Sequence, residues 1–162
     1  MYQVGIVTLS DKGAKGERQD LSGPKIQELL PDDRYEVVSY RILPDDQPAI
    51  EKELCRLADE EHCALVLTTG GTGFSMRDVT PEATIAVCDR MANGIADAIR
   101  NYSMTITPRA MFSRAVSGIR KKTLIINLPG SPKAVKESLE YIIDALEHGI
   151  EIMTGEAGNC AR

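Results

Sequence analysis

The stretch Leu65-Val66-Leu67-Thr68-Thr69-Gly70-Gly71-Thr72-Gly73 decides the fold, because a short apolar run ends directly in a glycine-rich loop. An apolar run of this length, bounded by glycines, is typical of a buried strand. The glycines predict a loop that turns with positive φ and approaches a ligand closely. Its backbone amides can then point at anionic oxygens. The sequence therefore predicts a phosphate or polar-cofactor loop at the carboxyl end of a strand, where open α/β sheets bind ligands.

Two familiar kinds of glycine loop fit this stretch poorly. A P-loop ends in Gly-Lys-Ser/Thr, whereas Phe74-Ser75-Met76 follows the last glycine here. A dinucleotide fingerprint needs a further glycine where Met76 stands. A glycine-rich turn by itself is often only a tight connection between a strand and a helix. The functional interpretation of this loop therefore depends on what the rest of the chain places beside it.

Length and composition are those of an ordinary globular domain. The chain has 162 residues, 43% hydrophobic and 27% charged, which suits one compact domain with a sizeable core. The sequence shows no apolar run of membrane-spanning length, and residues 1–4 lack the basic region of a signal peptide. We therefore expect a cytoplasmic protein with no membrane partner. The net charge of −5 argues against a broad nucleic-acid surface.

Cysteine and histidine residues predict no metal or redox site. No pair of cysteines has the Cys-x-x-Cys spacing typical of zinc or redox centres, and we expect free thiols at Cys55, Cys63, Cys88 and Cys160. The first three are predicted to pack as small apolar groups. His62 and His148 lie far apart and beside no partner pattern, so neither is assigned a role.

Hydrophobic periodicity predicts strands that alternate with helices. The predicted strands are 3–9, 35–43, 64–68, 115–117 and 123–127. The predicted helices run from about 22 to 30, from 46 to 58, from Thr80-Pro81 toward Arg100, and onward from Ser131-Pro132. Residues 10–17 are expected to form a loop, 109–114 a helical turn, and 155–162 a frayed tail. This alternation predicts a mostly parallel sheet covered on both faces, in one domain over residues 1–162.

Four loops that follow predicted strands should meet at one edge of such a sheet. They are Ser10-Asp11, Pro44-Asp45-Asp46, residues 69–78 and Leu128-Pro129-Gly130-Ser131. Asp45 and Asp78 place two carboxylates at that edge, and Mg²⁺ takes one or two carboxylates in proteins. An alternative for Asp78 is that its charge favours the following helix N-terminus. Asp46 is interpreted as a helix cap.

A second helix start and several basic side chains are weaker candidates for anion binding. Ser131 can cap the last helix, and the free amides there, together with Lys133, also suit an anion. The segment 120–122 is interpreted as a solvated hairpin turn. Candidates to bind phosphates by paired donors are Arg77, Arg109 and Arg114.

An ordered set of motifs resembles the bacterial molybdopterin adenylyltransferases and the gephyrin and plant G domains. The motifs appear in the family's order and span nearly the whole chain: Thr8-Leu9-Ser10-Asp11, Leu43-Pro44-Asp45-Asp46, and residues 68–73, 77–84, 111–120 and 124–132. As a set they are specific, whereas the glycine loop alone is not. They also agree with the phosphate chemistry inferred from the loops.

This resemblance implies a three-layer α/β/α fold that assembles as a homotrimer. It implies transfer of AMP from MgATP to molybdopterin with release of pyrophosphate, before a separate enzyme inserts molybdate. Asp45 and Asp78 fall on the family's two important acidic positions, with catalytic and Mg²⁺-binding roles. The nucleotide and pterin loops fall on Ser10, Asp11, Thr69, Gly70, Gly71, Thr72, Gly73, Pro129, Gly130 and Ser131.

Two other functions stay open at this point. A non-catalytic molybdopterin carrier can have the same fold, since a fold does not determine function. Tight pterin binding without an adenylylated product would indicate such a carrier. A generic nucleotide-binding or scaffold domain is the third hypothesis, which the lack of a linker or low-complexity tract in the sequence makes less attractive.

Overall fold

Residues 1–158, which the computed structural model describes, form a six-stranded sheet. In chain order its strands are β1 Tyr2–Leu9, β2 Tyr35–Leu43, β3 Leu65–Thr69, β4 Arg90–Met91, β5 Ser117–Arg120 and β6 Thr123–Leu128. Their spatial order is β2-β1-β3-β6-β5-β4. The first four strands in that order are parallel, and β5 and β4 pair antiparallel at one side. The predicted mostly parallel sheet is confirmed.

Helices cover both faces of the sheet. They are α1 Asp11–Ala14, α2 Ser22–Leu29, α3 Gln47–Asp59, α4 Thr80–Val87, α5 Asn93–Met104 and α6 Pro132–Thr154, with a 3₁₀ helix at Pro108–Phe112. One core joins α2, α5 and α6 to the sheet, and a second joins α3 and α4 to its other face. Among residues 1–158, none of these helices has the length and hydropathy needed to span a membrane.

Alternation along the central strands explains the two cores. In β3, Leu65 and Leu67 belong to the first core, whereas Val66 belongs to the second. Successive side chains of a strand point to opposite faces, so a strand buried on both sides needs a continuous apolar run. Complete burial of such a side chain is worth about 1.5–3 kcal/mol. The three-layer α/β/α prediction is therefore confirmed, and the two cores lie on either side of β3, the strand that leads into the glycine loop.

The helix-capping predictions are confirmed at two sites. The Asp46 carboxylate accepts a hydrogen bond of 3.0 Å from the Ala49 N–H, and Ser131 Oγ accepts one of 3.2 Å from the Ala134 N–H. At the other end of α6, Gly155 has a φ of +81° and closes the helix in a left-handed conformation. The predicted tail begins there, and residues 159–162, which include Cys160, lie outside the described part. The one-domain assignment stays a prediction.

The prediction of a single helix from Thr80 toward Arg100 is wrong. The chain leaves α4 at Cys88, forms β4 and begins α5 at Asn93. The Asp89 N–H donates to the Ile119 carbonyl over 2.8 Å, and the Ala92 N–H donates to the Ser117 carbonyl over 2.9 Å. Residues 89–92 therefore form hydrogen bonds with β5 instead of continuing the helix. Tertiary contacts of this kind override the local helix propensity.

Three smaller differences concern loops and turns. The predicted loop 10–17 contains α1, whose first turn is capped by Ser10 Oγ. The helical turn predicted at 109–114 is the 3₁₀ helix, which begins one residue earlier and ends two residues earlier. A hairpin is present where one was predicted, but its first strand is β5 Ser117–Arg120 instead of residues 115–117, so its turn is shorter than expected.

Candidate active site

The four loops predicted to converge do meet at the carboxyl edge of the parallel strands. The Asp45 N–H donates to Asp11 Oδ1 over 3.0 Å, and the Asp11 N–H donates to Asp45 Oδ2 over 3.3 Å. The Thr69 hydroxyl donates to the Pro129 carbonyl over 2.6 Å. These contacts tie the loop after β1 to the loop after β2, and the loop after β3 to the loop after β6.

Ser10 and Asp11 make internal contacts at this edge. Ser10 Oγ accepts the Gly13 N–H over 2.9 Å. The Arg77 guanidinium binds both oxygens of Asp11 at 3.0 and 2.9 Å. This pairing, followed by the Asp45 N–H, lowers the pKa of the Asp11 carboxyl. Arg77, predicted as a phosphate contact, thus holds the loop after β1 against the glycine loop.

The glycine loop has a backbone that only glycine fits. Gly70 and Gly71 have φ values of +94° and +69°. A Cβ on Gly70 would lie 2.5 Å from the Leu9 carbonyl oxygen. A Cβ on Gly71 would lie 2.3 Å from Thr80 Oγ1 and 2.9 Å from Asp45 Oδ1. The loop is therefore packed tightly between β1, α4 and the Asp45 carboxylate.

The same loop offers a row of available hydrogen-bond donors. Within residues 1–158, four consecutive backbone N–H groups have no acceptor, those of Gly71, Thr72, Gly73 and Phe74. Successive N–H groups of this kind form concavities that bind anions. The prediction that this loop can hold an anion therefore has a geometric basis.

Asp45 has a buried oxygen that lacks a hydrogen-bond partner. Its Oδ1 makes no hydrogen bond in the described part of the chain, although it is shielded from solvent. Burial, followed by the nearby charge of Asp11, raises the pKa of the Asp45 carboxyl, and Asp78 adds to the increase. An unpaired buried carboxylate oxygen is costly, and a hard divalent cation is a ligand that would relieve the cost.

Asp78 contacts the far end of the glycine loop, at Gly73, whereas Asp45 contacts Gly71. The Oδ2 of Asp78 accepts the Ser75 N–H over 3.0 Å and lies 2.9 Å from the position of a Cβ on Gly73. The residue at the start of α4 is Val79, which makes no side-chain cap. Asp78 therefore closes the glycine loop, and the structure shows no hydrogen bond from its side chain to α4.

The carboxylates suit a cation that needs few protein ligands. Residues 1–158 contain no group of three or more His, Cys, Asp or Glu side chains that could hold a metal ion. Mg²⁺ commonly uses one or two carboxylates and completes its shell with water and substrate phosphates. Asp45 and Asp78 therefore fit Mg²⁺ better than they fit a cation that requires an all-protein cage.

A cleft of about 480 Å³ adjoins the glycine loop. Of the predicted site residues it is lined by Ser10, Thr69, Gly70, Gly130 and Ser131. Asp45, Asp78 and Gly71 to Gly73 are not among its lining residues, nor are Asp11 and Pro129. The predicted site thus has two adjoining parts, a cleft and the carboxylate-flanked loop beside it.

Sequence analysis missed one wall of that cleft, residues 18–22. Asp20 Oδ2 accepts a hydrogen bond of 2.7 Å from the Thr8 hydroxyl and another from the Tyr40 hydroxyl. Asp20 Oδ1 accepts the Ser22 N–H over 3.0 Å, and the Ser22 hydroxyl donates to the Gly130 carbonyl over 2.7 Å. The Asp-Leu-Ser-Gly-Pro run at the start of α2 was the available signal, because such residues cap helices.

Arg114 and Arg109, the other two arginines predicted to bind phosphates, make different contacts or lie elsewhere. Arg114 pairs with both oxygens of Glu82 at 2.9 and 3.0 Å. Its guanidinium also donates to the Gly73 and Asp78 carbonyls over 2.8 Å each. Arg109 lines a separate cavity of about 240 Å³ beneath the 3₁₀ helix. The structure therefore gives no support to direct phosphate binding by Arg114.

Comparison with known proteins finds similar chains of nearly the same extent. Residues 5–148 match the family model described as a probable molybdopterin binding domain. The molybdopterin adenylyltransferase of Helicobacter pylori strain J99 is 43% identical over 154 residues, covering 94% of this chain and 88% of that protein. The Escherichia coli K12 protein of the same name is 46% identical over 155 residues, covering 91% and 79%. The crystal structure of the molybdopterin biosynthesis enzyme MoaB from Thermus thermophilus has a TM-score of 0.91 at 48% identity, covering 96% and 98%.

Proposed function

This chain belongs to the family of probable molybdopterin binding domains, and we propose that it is a molybdopterin adenylyltransferase of molybdenum cofactor biosynthesis. The observation that carries the proposal is the identity of 43–46% with enzymes of that name over most of the chain. The anion-binding geometry of the glycine loop supports it independently. The reaction transfers AMP from ATP to the terminal phosphate of molybdopterin.

The chemistry needs positioning more than it needs a strong base. An oxygen of the molybdopterin phosphate attacks the α-phosphorus of ATP and forms a new P–O bond. The bond from that phosphorus to the bridging oxygen breaks, and pyrophosphate leaves with the electron pair. Because a phosphate monoester is already a nucleophile, no serine or histidine has to be activated. Catalysis therefore depends on alignment of two anions and on stabilisation of their charge.

The chain's own residues have distinct tasks in this proposal. The free N–H groups from Gly71 to Phe74 hold phosphate oxygens of the nucleotide. Gly130 and Ser131 contribute N–H groups that also lack acceptors within residues 1–158, and they suit a phosphate beside the cleft. Ser10, Asp11, Thr69 and Pro129 hold the connecting loops in place around both substrates.

Asp45 and Asp78 are the proposed Mg²⁺ ligands. The fit rests on the partnerless Oδ1 of Asp45 and on Asp78, which contacts the same loop at Gly73 and whose charge acts on the Asp45 carboxyl. When bound, Mg²⁺ would neutralise charge on the phosphate oxygens of the nucleotide. We further propose a cytoplasmic homotrimer that passes the adenylylated pterin to a molybdate-inserting enzyme.

An anaerobic assay tests the proposed function. The purified protein is mixed with molybdopterin, ATP and Mg²⁺, and adenylylated pterin and pyrophosphate are followed together. The expected result is equal amounts of both products, with none after Mg²⁺ is chelated. Pterin binding without either product would assign the chain to the carrier class. Failure to bind pterin would leave a nucleotide-binding or scaffold domain.

A further inference from the structure

Two residues hold every carbonyl of the glycine loop from Gly70 to Gly73. Thr80 donates from its hydroxyl to the Gly70 carbonyl over 3.0 Å and from its N–H to the Gly71 carbonyl over 3.1 Å. Arg114 donates from its N–H to the Thr72 carbonyl over 2.7 Å and from its Nε to the Gly73 carbonyl over 2.8 Å. Residues from two distant segments of the chain therefore anchor four successive peptide groups.

Those peptide groups are the ones that carry the free N–H groups. In a planar trans peptide, the carbonyl of one residue and the N–H of the next point in opposite directions. The described chain contains no cis peptide bond. Holding each carbonyl from Gly70 to Gly73 therefore fixes the N–H group of the following residue, from Gly71 to Phe74, so that it points away from the anchored carbonyl of its peptide group. Each N–H group that lacks an acceptor therefore belongs to the same peptide group as one of the anchored carbonyls.

We propose that Thr80 and Arg114 are positioning residues that orient these four N–H groups toward an anionic part of the nucleotide. The inference rests on the proposed function for the identity of the ligand. Neither residue has to touch the ligand. Each acts by removing the freedom of the peptide groups to turn a carbonyl toward the phosphate, which would repel it.

The chemistry of each residue fits this task. The Arg114 fork binds the Gly73 carbonyl at the end of the glycine loop and the Asp78 carbonyl just before α4, while Glu82 neutralises its charge. A lysine donates from a single nitrogen and cannot reproduce the planar fork of a guanidinium. Thr80 is fully buried, and its own carbonyl accepts the Thr84 hydroxyl over 2.9 Å. Both anchors are therefore held in turn by contacts of their own.

The test compares Arg114→Lys and Thr80→Val with two matched controls. Arg120→Lys changes another arginine that binds both oxygens of a carboxylate, that of Asp59, and a backbone carbonyl, that of Val87 over 2.9 Å. Thr123→Val removes another buried hydroxyl, which donates to the Cys63 carbonyl over 2.6 Å. Neither control contacts the glycine loop. The probes are inorganic pyrophosphate and MgATP, measured by calorimetric binding and by amide NMR shifts of residues 71–74.

The expected result separates positioning from general folding. Arg114→Lys and Thr80→Val should weaken pyrophosphate binding about 10- to 100-fold and lower kcat/KM for ATP similarly, with molybdopterin affinity within about threefold of wild type. Thr80→Ser restores the hydroxyl and should recover most of the pyrophosphate affinity. Both controls should bind pyrophosphate as the wild type does.

Several outcomes would overturn the inference. One is that pyrophosphate binds the wild-type protein without shifting the amide NMR signals of residues 71–74. This measurement uses wild-type protein alone, so it does not depend on whether a variant folds. Another is unchanged pyrophosphate affinity in folded Arg114→Lys and Thr80→Val proteins, or an equal loss in the two controls. If wild type binds pyrophosphate through these amides but forms no adenylylated pterin, the proposed function fails and the positioning roles stand.

Discussion

The two ends of the parallel strands differ in how completely their polar groups are paired. At the amino ends, Asp59 binds the Arg120 guanidinium at 3.1 and 2.7 Å and Lys121 at 3.0 Å. The buried Thr123 hydroxyl there donates to the Cys63 carbonyl. At the carboxyl ends, Asp45 Oδ1 is buried without a partner, and a row of N–H groups has no acceptor within residues 1–158.

Cavity size alone would point to the wrong end. The amino-end cavity has a volume of about 640 Å³, larger than the carboxyl-end cleft of about 480 Å³. A buried polar group left unpaired costs about 1–3 kcal/mol, so folded proteins rarely keep one without a use. Within residues 1–158, the Tyr35 hydroxyl at the start of β2 and the Ser138 hydroxyl in α6 are also buried without a partner, but Asp45 Oδ1 is the one carboxylate oxygen among the three. It lies beside a row of N–H groups without acceptors, so the carboxyl ends are the better candidate for the ligand site.

The largest expected effect comes from Asp78→Asn, which tests whether the carboxyl end carries the chemistry. Asparagine can still accept the Ser75 N–H, so we expect a folded protein that binds molybdopterin. Loss of the charge should lower AMP transfer about 100- to 1,000-fold, as removal of one electrostatic group does in other enzymes. Asp59→Asn at the amino end is the matched control and should retain AMP transfer. Equal turnover of Asp78→Asn and wild type would remove Asp78 from the mechanism.

Gly71→Ala sharpens the comparison through backbone geometry. A left-handed alanine costs about 1–2 kcal/mol, and a forced fit of the new methyl against Thr80 and Asp45 adds about 1–3 kcal/mol. The control is Gly16→Ala, because Gly16 has a φ of +74° but nothing within 4 Å of a Cβ. Chemical denaturation should show a loss of about 3 kcal/mol for Gly71→Ala and about 1 kcal/mol for Gly16→Ala. Equal losses would show that the loop has room for a side chain.

Thr123→Val tests the amino end by itself. It deletes the hydroxyl that satisfies the buried Cys63 carbonyl. The free energy of unfolding should fall by about 1–2 kcal/mol, the usual cost of one unsatisfied buried group. AMP transfer per folded molecule should stay at the wild-type rate. A drop in turnover without a drop in stability would mean that the two ends are coupled, contrary to the comparison.

The smallest expected effect is a gain of stability in Asp45→Asn. Because burial raises the folded-state pKa of Asp45 above its ordinary value of 3.8, ionisation destabilises the folded protein as the pH rises through that raised pKa. Below the ordinary value the carboxyl is neutral in both states, and the penalty is absent. The metal-free variant should therefore melt above metal-free wild type at pH 7, by about 2–4 °C for each kcal/mol of relieved penalty. Melting curves at pH 7 and pH 4 should show the gap shrink with falling pH, and a gap that stays constant would contradict the charge explanation.

Sequence reasoning predicted most of the sheet because its strands have an unambiguous pattern. The predicted strand 35–43 has the observed bounds, and the strand before the glycine loop differs by one residue. The positions of Asp45 and of residues 128–131 followed from one rule, that parallel strands end at the same edge. The break between α4 and α5 was missed because it depends on pairing with β5, whose hydrogen bonds have no local signature.

The candidate site divides in the same way. Its residue types, glycines where φ is positive and carboxylates after strands, are visible in the sequence because each satisfies a local rule. The roles of Arg77 and Arg114 are not visible there, since a guanidinium suits a phosphate and a carbonyl equally well. Only the fold shows that Arg77 binds Asp11 and that Arg114 binds Glu82 and the glycine loop.

By itself, the sequence determined the alternation of elements, the double burial of β3 and the set of loops at one edge, because strand periodicity and glycine conformation are local properties. The tertiary structure alone decided which polar groups are paired and which stay available. Thr80 reaches the glycine loop from the start of α4, and Arg114 reaches it from the segment before β5. The Arg114 contact joins residues that lie far apart in the sequence. Pairing across such distances depends on packing, so the direction of the free N–H groups is a property of the folded chain.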